Sequence, residues 1–167
     1  MKEAIKPKEI QHLFLENTTV KFPDQLFNAV EFDSRSISDP QQTLFVALKG
    51  QNIDGHKYIN KLIQKGVKNF IIEDINYLSN DANFFVAEDG VSGFQALAYY
   101  IRKSYKGKVI AITGSNGKTI VKEWLGQLLS IKYTVCKSPK SFNSQIGVAF
   151  SLCQLKKEDF ALEFKLT

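Results

Sequence analysis

The sequence predicts an α/β protein with two parts, a small mixed α/β domain and the start of a domain built on a parallel sheet. Strand-like apolar runs alternate with segments of helical periodicity along the whole chain. After a polar break at Tyr105–Lys108 the alternation is regular. Strands separated by helices of this length form βαβ units on a parallel sheet. The boundary is therefore placed between residues 105 and 106, and the later elements are predicted as strand 108–113, helix 117–130, strand 133–136, helix 145–154 and strand 159–164.

The elements before the break follow from local patterns. Ile10, Leu13 and Phe14 fall at i, i+3 and i+4, which predicts a first helix over Ile5–Asn17. A second helix begins near Tyr58 and ends at Gly66, and a third covers Ser92–Tyr105. The strand-like runs are Phe27–Phe32, Thr43–Leu48, Asn69–Ile72 and Asn83–Ala87.

Composition narrows the class of protein. Apolar residues make up 44 % of the 167 residues and charged residues 23 %, which supports a packed core and argues against disorder. No apolar run approaches the roughly 20 residues of a membrane span, and residues 1–16 lack the apolar stretch of a secretory signal. These features favour a soluble, cytoplasmic protein. Cys136 and Cys153 do not have metal-binding spacing, so no zinc site is expected.

Positive charge is concentrated in the second part. The net charge is +5, with −1 on residues 1–105 and +6 on residues 106–167. This bias suits a polyanionic nucleotide, although a solvated basic surface is the commoner cause. Basic and aromatic residues do not interleave in the way that would indicate nucleic-acid binding.

The segment Gly114-Ser115-Asn116-Gly117-Lys118-Thr119, called here the glycine loop, lies between a predicted strand and a predicted helix. Its glycines allow the backbone to approach phosphate closely, and the helix adds its positive N-terminal end. Lys118 would reach the β- and γ-phosphates of ATP, and the Thr119 hydroxyl would bind Mg²⁺. The spacing is shorter than the standard G-x-x-x-x-G-K-[ST], since position 112 is isoleucine. The alternative is an ordinary glycine-rich turn between a strand and a helix.

Two polar clusters follow the first two predicted strands. In Asp33-Ser34-Arg35, the planar guanidinium suits phosphate oxygens, although a turn with a solvated arginine is the alternative. The second cluster is Leu44–Gly50, which includes Lys49, followed by Asp54-Gly55-His56. Here Asp-Gly predicts a turn with positive φ at Gly55, and the His56 ring could bind a ligand. A plain turn with a surface histidine is the alternative.

Two candidates lie late in the chain. Asn143 joins a strand end to a helix start, where ligands bind in α/β sheets, although capping of the helix would also explain it. Glu163 lies in the last strand-like run, and a carboxylate beside a glycine loop of this kind could hold Mg²⁺. A solvated strand end is the alternative.

Together these motifs resemble the Mur ligase family, and the resemblance covers roughly residues 5–163. The spacing from Asp33 to His56 is most similar to the members that add D-alanyl-D-alanine. Residues 113–124 and 138–148 are especially similar to members fused to alanine racemase. The glycine loop alone is less discriminating, because folylpolyglutamate synthases share it.

The resemblance implies an ATP-dependent ligase of peptidoglycan synthesis with ATP and Mg²⁺ as cofactors. Its substrates would be UDP-N-acetylmuramoyl-tripeptide and D-alanyl-D-alanine, joined through an acyl phosphate. Residues 1–105 would bind the UDP-substrate and residues 106–167 would begin the ATPase domain. The implied ATP-binding residues are Gly114–Thr119, the implied catalytic residues Lys118 and Glu163, the implied magnesium ligands Thr119 and Glu163, and the implied UDP-substrate contacts Ser34, Arg35, Lys49, His56 and Asn143.

Departures from the family pattern qualify this hypothesis. Glu163 is followed by Phe164 rather than a small residue and glycine, and Ala149 replaces the family's proline. The resemblance also implies three domains, of which this chain would hold the first and less than half of the second. The chain is therefore expected to be an N-terminal fragment that is inactive by itself, and its uncovered sheet edge would invite self-association. The alternatives are another P-loop NTPase or kinase, and a UDP-sugar-binding module without catalysis.

Overall fold

The computed structural model of the protein describes residues 4–51, 53–138 and 144–156, together with the main chain of residues 161–165. The chain divides into two compact units, residues 4–97 and residues 98–167, called here the N-terminal and C-terminal units. The division falls within a helix that covers Gly90–Ser104.

The N-terminal unit is built on a four-stranded parallel sheet. Its strands lie in chain order and are β1 (Ala29–Glu31), β2 (Thr43–Val46), β3 (Asn69–Ile72) and β4 (Asn83–Val86). Every residue of β2, β3 and β4 is buried, as expected of parallel strands that are covered on both faces. The predicted α/β class is confirmed, and the four predicted strands are all present.

The helices of this unit are α1 (Pro7–Ile10), α2 (Ile59–Gln64) and the start of α3 (Gly90–Ser104), with 3₁₀ turns at Gln11–Leu13, Pro40–Gln42, Gly55–Tyr58 and Ile75–Tyr77. The predicted helix over Ile5–Asn17 is wrong beyond Leu13. The backbone there bonds to the edge of the sheet instead. The N–H of Leu15 donates to the Val86 carbonyl, and that of Thr19, just beyond the predicted helix, donates to the Phe84 carbonyl, both at 2.9 Å. The segment thereby covers the free edge of β4.

Aromatic side chains fill the core between this sheet and α2. Phe45, Phe70 and Phe84 lie on adjacent strands and are fully buried. The Phe70 ring stacks on Phe84 at 5.5 Å between centroids and meets Phe45 edge-on at 6.3 Å. This layer fixes the strand order beneath α2, and it supports the loops that follow β1 and β2.

The C-terminal unit contains a three-stranded parallel sheet. Its elements are β5 (Lys108–Ile112), α4 (Lys118–Ser130), β6 (Val135–Lys137), α5 (Gln145–Cys153) and β7 (Ala161–Lys165), with strand order β5-β7-β6. Tyr105 and Leu155 are buried between α3, α5 and the sheet. The predicted alternation of strands and helices is confirmed, with boundaries shifted by one or two residues.

Among the residues that the structure describes, no helix is both long enough and apolar enough to span a bilayer.

Candidate functional site

The N-terminal unit carries a cavity of about 530 Å³, called here the larger cavity. The loops that follow β1 and β2 contribute to its wall, so it lies at the carboxyl ends of these strands, where ligands bind in open α/β sheets. The lining residues are Phe32, Asp33, Ser34, Arg35, Leu48, Gly50, Ile53, Gly55, Tyr58, Lys61, Leu62 and Lys65. The cavity thus joins Asp33–Arg35 to the loop after β2, although the predicted contacts Lys49 and His56 are not among its lining residues.

Asp33 and Arg35 form a forked ion pair at the rim of this cavity. Arg35 Nε donates to Asp33 Oδ1 at 2.9 Å, and Nη2 donates to Oδ2 at 2.7 Å. The Arg35 N–H also bonds Asp33 Oδ1 at 3.0 Å, which closes the turn. The hydrogen bonds from Arg35 lower the pKa of Asp33 to about 2. The carboxylate is therefore ionised at neutral pH and offsets the charge of the guanidinium.

Titration of the Asp33 carboxyl tests its ion pair with Arg35. Because the pKa of Asp33 is depressed from 3.8 to about 2, the pair contributes to stability above pH 3.8 and is lost as the pH falls through about 2. We expect ¹³C NMR of the Asp33 carboxyl to show a midpoint near this lower value. Arg35→Ala should return the midpoint toward 3.8. A wild-type midpoint near 3.8 would contradict the pairing.

The loop after β2 is closed by short main-chain bonds. The Gly50 N–H donates to Ile53 O and the Gly55 N–H to Leu48 O, each at 2.8 Å. The main chains of Lys49 and Asp54 pair as an isolated antiparallel β-bridge. A Cβ on Gly55 would lie 2.9 Å from the Leu48 nitrogen, so the position excludes larger side chains. The predicted positive φ at Gly55 is wrong, since the structure requires glycine there for this close approach and not for left-handed backbone.

His56 lies inside the N-terminal unit, with a relative exposure of 1 %. Its Nε2 accepts the Glu73 N–H at 3.2 Å, so the ring proton lies on Nδ1, which donates to Asp54 Oδ1 at 2.7 Å. Burial raises the pKa of the Asp54 carboxyl, but the hydrogen bonds from the His56 ring and main chain together outweigh it, so the pKa is lowered. Both ring nitrogens are engaged within the protein, and this arrangement favours a role in positioning the loop over direct contact with a ligand.

The His56→Phe variant should therefore have a lower free energy of unfolding and an unchanged affinity for the UDP-substrate. The ring volume and the contact with Tyr77 are kept, but the Glu73 N–H loses its acceptor and the Asp54 carboxylate loses a donor. We expect a loss of about 1–3 kcal/mol in the free energy of unfolding, measured by urea denaturation. Unchanged stability combined with lost affinity for the UDP-substrate would show instead that the ring contacts the ligand.

Three polar lining residues were not singled out as functional by the sequence. Tyr58 ends the turn before α2, Lys61 lies on α2 and Lys65 is the C-cap of α2. All three share one face with the lining residue Leu62. Their spacing of i, i+3, i+4 and i+7 could have identified this face. The sequence could not show that the face borders the loops after β1 and β2.

The glycine loop of the C-terminal unit has the backbone that its sequence requires. Gly114 has φ +144° and Gly117 φ +76°, both in the region that favours glycine. Gly117 is the N-cap of α4, so the free N–H groups of the first helical turn begin at the end of the loop. This geometry places a helix N-terminus next to the loop, an arrangement that suits an anion.

A second cavity of about 260 Å³ is lined by Ser115, Asn116, Gly117, Lys118, Thr119 and Ile120. The Lys118 ammonium donates to the Gly114 carbonyl across the loop. Five of the six residues predicted to bind ATP thus line a single cavity, and the sixth, Gly114, is bonded to Lys118.

Lys122 and Lys137 join α4 to the strand β6. Lys122 is 5 % exposed, and its Nζ donates to the Ser138 carbonyl at 3.1 Å. Lys137 Nζ donates to Glu123 Oε2 at 2.8 Å. This bond lowers the pKa of the Glu123 carboxyl most, and a hydrogen bond from Lys122 to the same carboxyl lowers it further. These contacts fix the end of β6 relative to the helix that follows the glycine loop.

The remaining predicted residues are described only in part. Glu163 lies in β7, in register with Ile110 of β5 and Lys137 of β6, so its main chain is next to the strand that leads into the glycine loop. Its side chain lies outside the described part of the chain, as does the whole of Asn143. Their roles stay predictions.

The comparison with known families decides the classification. The pattern of the Mur ligase family catalytic domain matches residues 27–133. The chain belongs to the Mur ligase family. The pattern of the Mur ligase middle domain also matches residues 112–164, which include the glycine loop. The resemblance inferred from the motifs is thus confirmed.

Individual Mur ligases give the same result. The UDP-N-acetylmuramoyl-tripeptide–D-alanyl-D-alanine ligase of Borreliella burgdorferi is 34 % identical over 171 residues, which cover 92 % of this chain and 37 % of the relative. A crystal structure of MurF from Acinetobacter baumannii superposes with a TM-score of 0.85 at 27 % identity, covering 99 % of this chain and 36 % of that one. The MurF ligase of Thermotoga maritima in complex with ADP has a TM-score of 0.68 at 30 % identity, with coverages of 82 % and 32 %. The chain therefore spans about a third of the length of the Mur ligases it matches.

Proposed function

We propose that this chain supplies the UDP-substrate-binding and ATP-binding parts of a ligase that joins D-alanyl-D-alanine to UDP-N-acetylmuramoyl-tripeptide. The larger cavity carries this proposal, because it gathers residues 33–35 and the loop around residues 48–55 at the carboxyl edge of one sheet. These are the segments whose spacing most resembles the D-alanyl-D-alanine-adding members. The protein would accordingly act in the cytoplasm, as an enzyme of peptidoglycan synthesis.

The glycine loop would bind ATP. Its cavity, its left-handed glycines and the N-terminus of α4 together suit the phosphate groups of a nucleotide. The ADP bound by the Thermotoga maritima MurF ligase supports this assignment. Lys118 would exchange its bond to the Gly114 carbonyl for the β- and γ-phosphates.

Magnesium suits the donors that this region offers. Thr119 lines the cavity of the glycine loop, and Glu163 lies on the strand next to β5. A hydroxyl, a carboxylate and phosphate oxygens are the hard oxygen ligands that Mg²⁺ prefers. Thr119 and Glu163 would hold the ion, which supplies neutralisation of phosphate charge when bound.

The reaction implied by the family requires two consecutive transfers. The γ-phosphoryl group of ATP passes to the tripeptide carboxylate, which gives an acyl phosphate and ADP. The amine of D-alanyl-D-alanine then attacks the acyl carbon, and the amide forms as phosphate leaves. In this scheme Lys118 offsets charge on the transferring phosphoryl group, while the residues of the larger cavity hold the UDP-sugar.

Calorimetric titration of the 167-residue chain tests the proposal. UDP-N-acetylmuramoyl-tripeptide and Mg·ATP are added separately to the wild type and to Arg35→Ala. We expect the wild type to bind both compounds, and we expect Arg35→Ala to weaken UDP-substrate binding while leaving ATP binding unchanged. The arginine contributes both to the cavity and to the turn that shapes it.

The two ligands separate the proposal from its alternatives. ATP binding without UDP-substrate binding would overturn it in favour of another NTPase. UDP-substrate binding without ATP binding would instead indicate a module that lacks catalysis. Equal UDP-substrate affinities of wild type and Arg35→Ala would remove Arg35 from the site.

A further inference from the structure

One wall of the larger cavity is cationic, and its residues have no role in the proposed function. Tyr58, Lys61, Leu62 and Lys65 all line it, at the spacing of one helical face. Leu62 is 1 % exposed and packs in the core, whereas both lysines are exposed. Leu62 thus anchors α2 in the core, while Lys61 on the helix and Lys65 at its C-cap contribute two positive charges to the cavity wall.

These lysines carry the uncompensated positive charge of the cavity. The Arg35 guanidinium is bonded through two nitrogens to the Asp33 carboxylate, and its charge is offset there. Among the described residues, no carboxylate oxygen lies within 4.0 Å of the ammonium group of Lys61 or Lys65. An anion entering the cavity would therefore meet its strongest attraction at the α2 wall.

The spacing of the two lysines suits an anion with charges in series. Residues at i and i+4 on a helix have Cβ atoms about 5–6 Å apart, and like charges at this spacing destabilise the helix. A bound polyanion would relieve the repulsion. Each ammonium offers three donors on a flexible stem, so the pair can follow successive phosphate groups without the fixed geometry that a guanidinium demands.

We propose that Lys61 and Lys65 bind the diphosphate of the UDP-sugar and are its principal charged contacts in the N-terminal unit. Arg35, held by Asp33, is then a secondary contact that shapes the rim. This proposal rests on the proposed function for the class of ligand, and it adds the residues that determine affinity for the diphosphate.

Titration with UDP, and with uridine as a probe that lacks phosphate, tests the assignment. The proteins compared are the wild-type chain, the double variant Lys61→Ala/Lys65→Ala and the charge-preserving Lys61→Arg/Lys65→Arg. Lys57→Ala is the matched control, because Lys57 is exposed on the turn that precedes α2 but does not line the cavity. Thermal melting confirms that each variant is folded.

We expect the double alanine variant to raise the Kd for UDP by roughly 10- to 100-fold, as charge-assisted bonds to phosphate are lost. Its Kd should also depend less on salt than that of the wild type. Uridine affinity should be unchanged in all variants, and the arginine variant should retain UDP binding. Lys57→Ala should change the Kd for UDP by less than about twofold, as expected for an exposed charge outside the site.

Three results overturn the proposal, and they can be distinguished from one another. If the wild type binds UDP and the double alanine variant binds it equally well, the lysine assignment fails while the proposed function stands. If the wild type binds neither UDP nor UDP-N-acetylmuramoyl-tripeptide, the assignment fails together with the proposed function. An equally large loss of UDP affinity in Lys57→Ala would show that the effect comes from net charge alone, and it would also overturn the assignment.

Discussion

Lys118→Ala is expected to weaken the binding of Mg·ATP by roughly 10- to 100-fold, because the variant loses a charge-assisted hydrogen bond worth about 1.5–3 kcal/mol. The lysine lines the cavity of the glycine loop, and its ammonium lies across the loop. Isothermal titration calorimetry on the 167-residue chain measures this loss directly. In the full-length ligase, the same substitution should abolish turnover and leave UDP-substrate binding intact.

Lys106→Ala provides the matched control for this experiment. Lys106 is exposed in the same unit but outside the loop cavity, so its substitution removes the same charge without touching the site. ATP affinity in this variant should stay within about twofold of the wild type. If Lys118→Ala binds Mg·ATP as tightly as Lys106→Ala does, the assignment of the glycine loop to ATP is wrong.

Phe70→Ala should lower the free energy of unfolding of the N-terminal unit by about 3–5 kcal/mol, since it removes a fully buried ring and leaves a cavity. Phe70 lies on β3 and contacts the rings of Phe45 and Phe84 on both neighbouring strands. Urea denaturation followed by far-UV circular dichroism measures the change. Tryptophan fluorescence would not serve, because the single tryptophan, Trp124, lies on α4 in the C-terminal unit.

Ile75→Ala serves as the comparison for Phe70→Ala. Ile75 belongs to the same unit but is 53 % exposed, so its truncation should change the stability by no more than about 0.5 kcal/mol. Similar losses in the two variants would contradict the assignment of the aromatic layer as the main core of the N-terminal unit.

The strands could be predicted because their signal is local. Runs such as Asn69–Ile72 are apolar and bounded by polar turns, and the structure has β3 at those residues. The first helix could not be predicted correctly, because Leu15 and Thr19 bond to the distant strand β4. Helical periodicity is a weak guide where a sheet edge competes for the same backbone groups.

In the candidate site, too, local features could be predicted from the sequence and contacts between distant segments could not. The glycine loop was recognisable because Gly114–Thr119 are contiguous and their conformational needs are visible in the residue types. His56 could be identified as special, but its burial against Glu73 depends on an element 17 residues away. No motif in the sequence marks Lys61 or Lys65, because only the folded chain brings α2 to the loops after β1 and β2.

Amide chemical-shift mapping tests the central claim, that two separate segments bind the UDP-substrate and ATP. A ¹⁵N-labelled chain is titrated first with UDP-N-acetylmuramoyl-tripeptide and then with Mg·ATP. We predict that the first ligand shifts amides in residues 32–35 and 48–65, and that the second shifts those of residues 114–119. If the UDP-substrate shifts the amides of residues 114–119 and leaves those of the larger cavity unchanged, the account is contradicted.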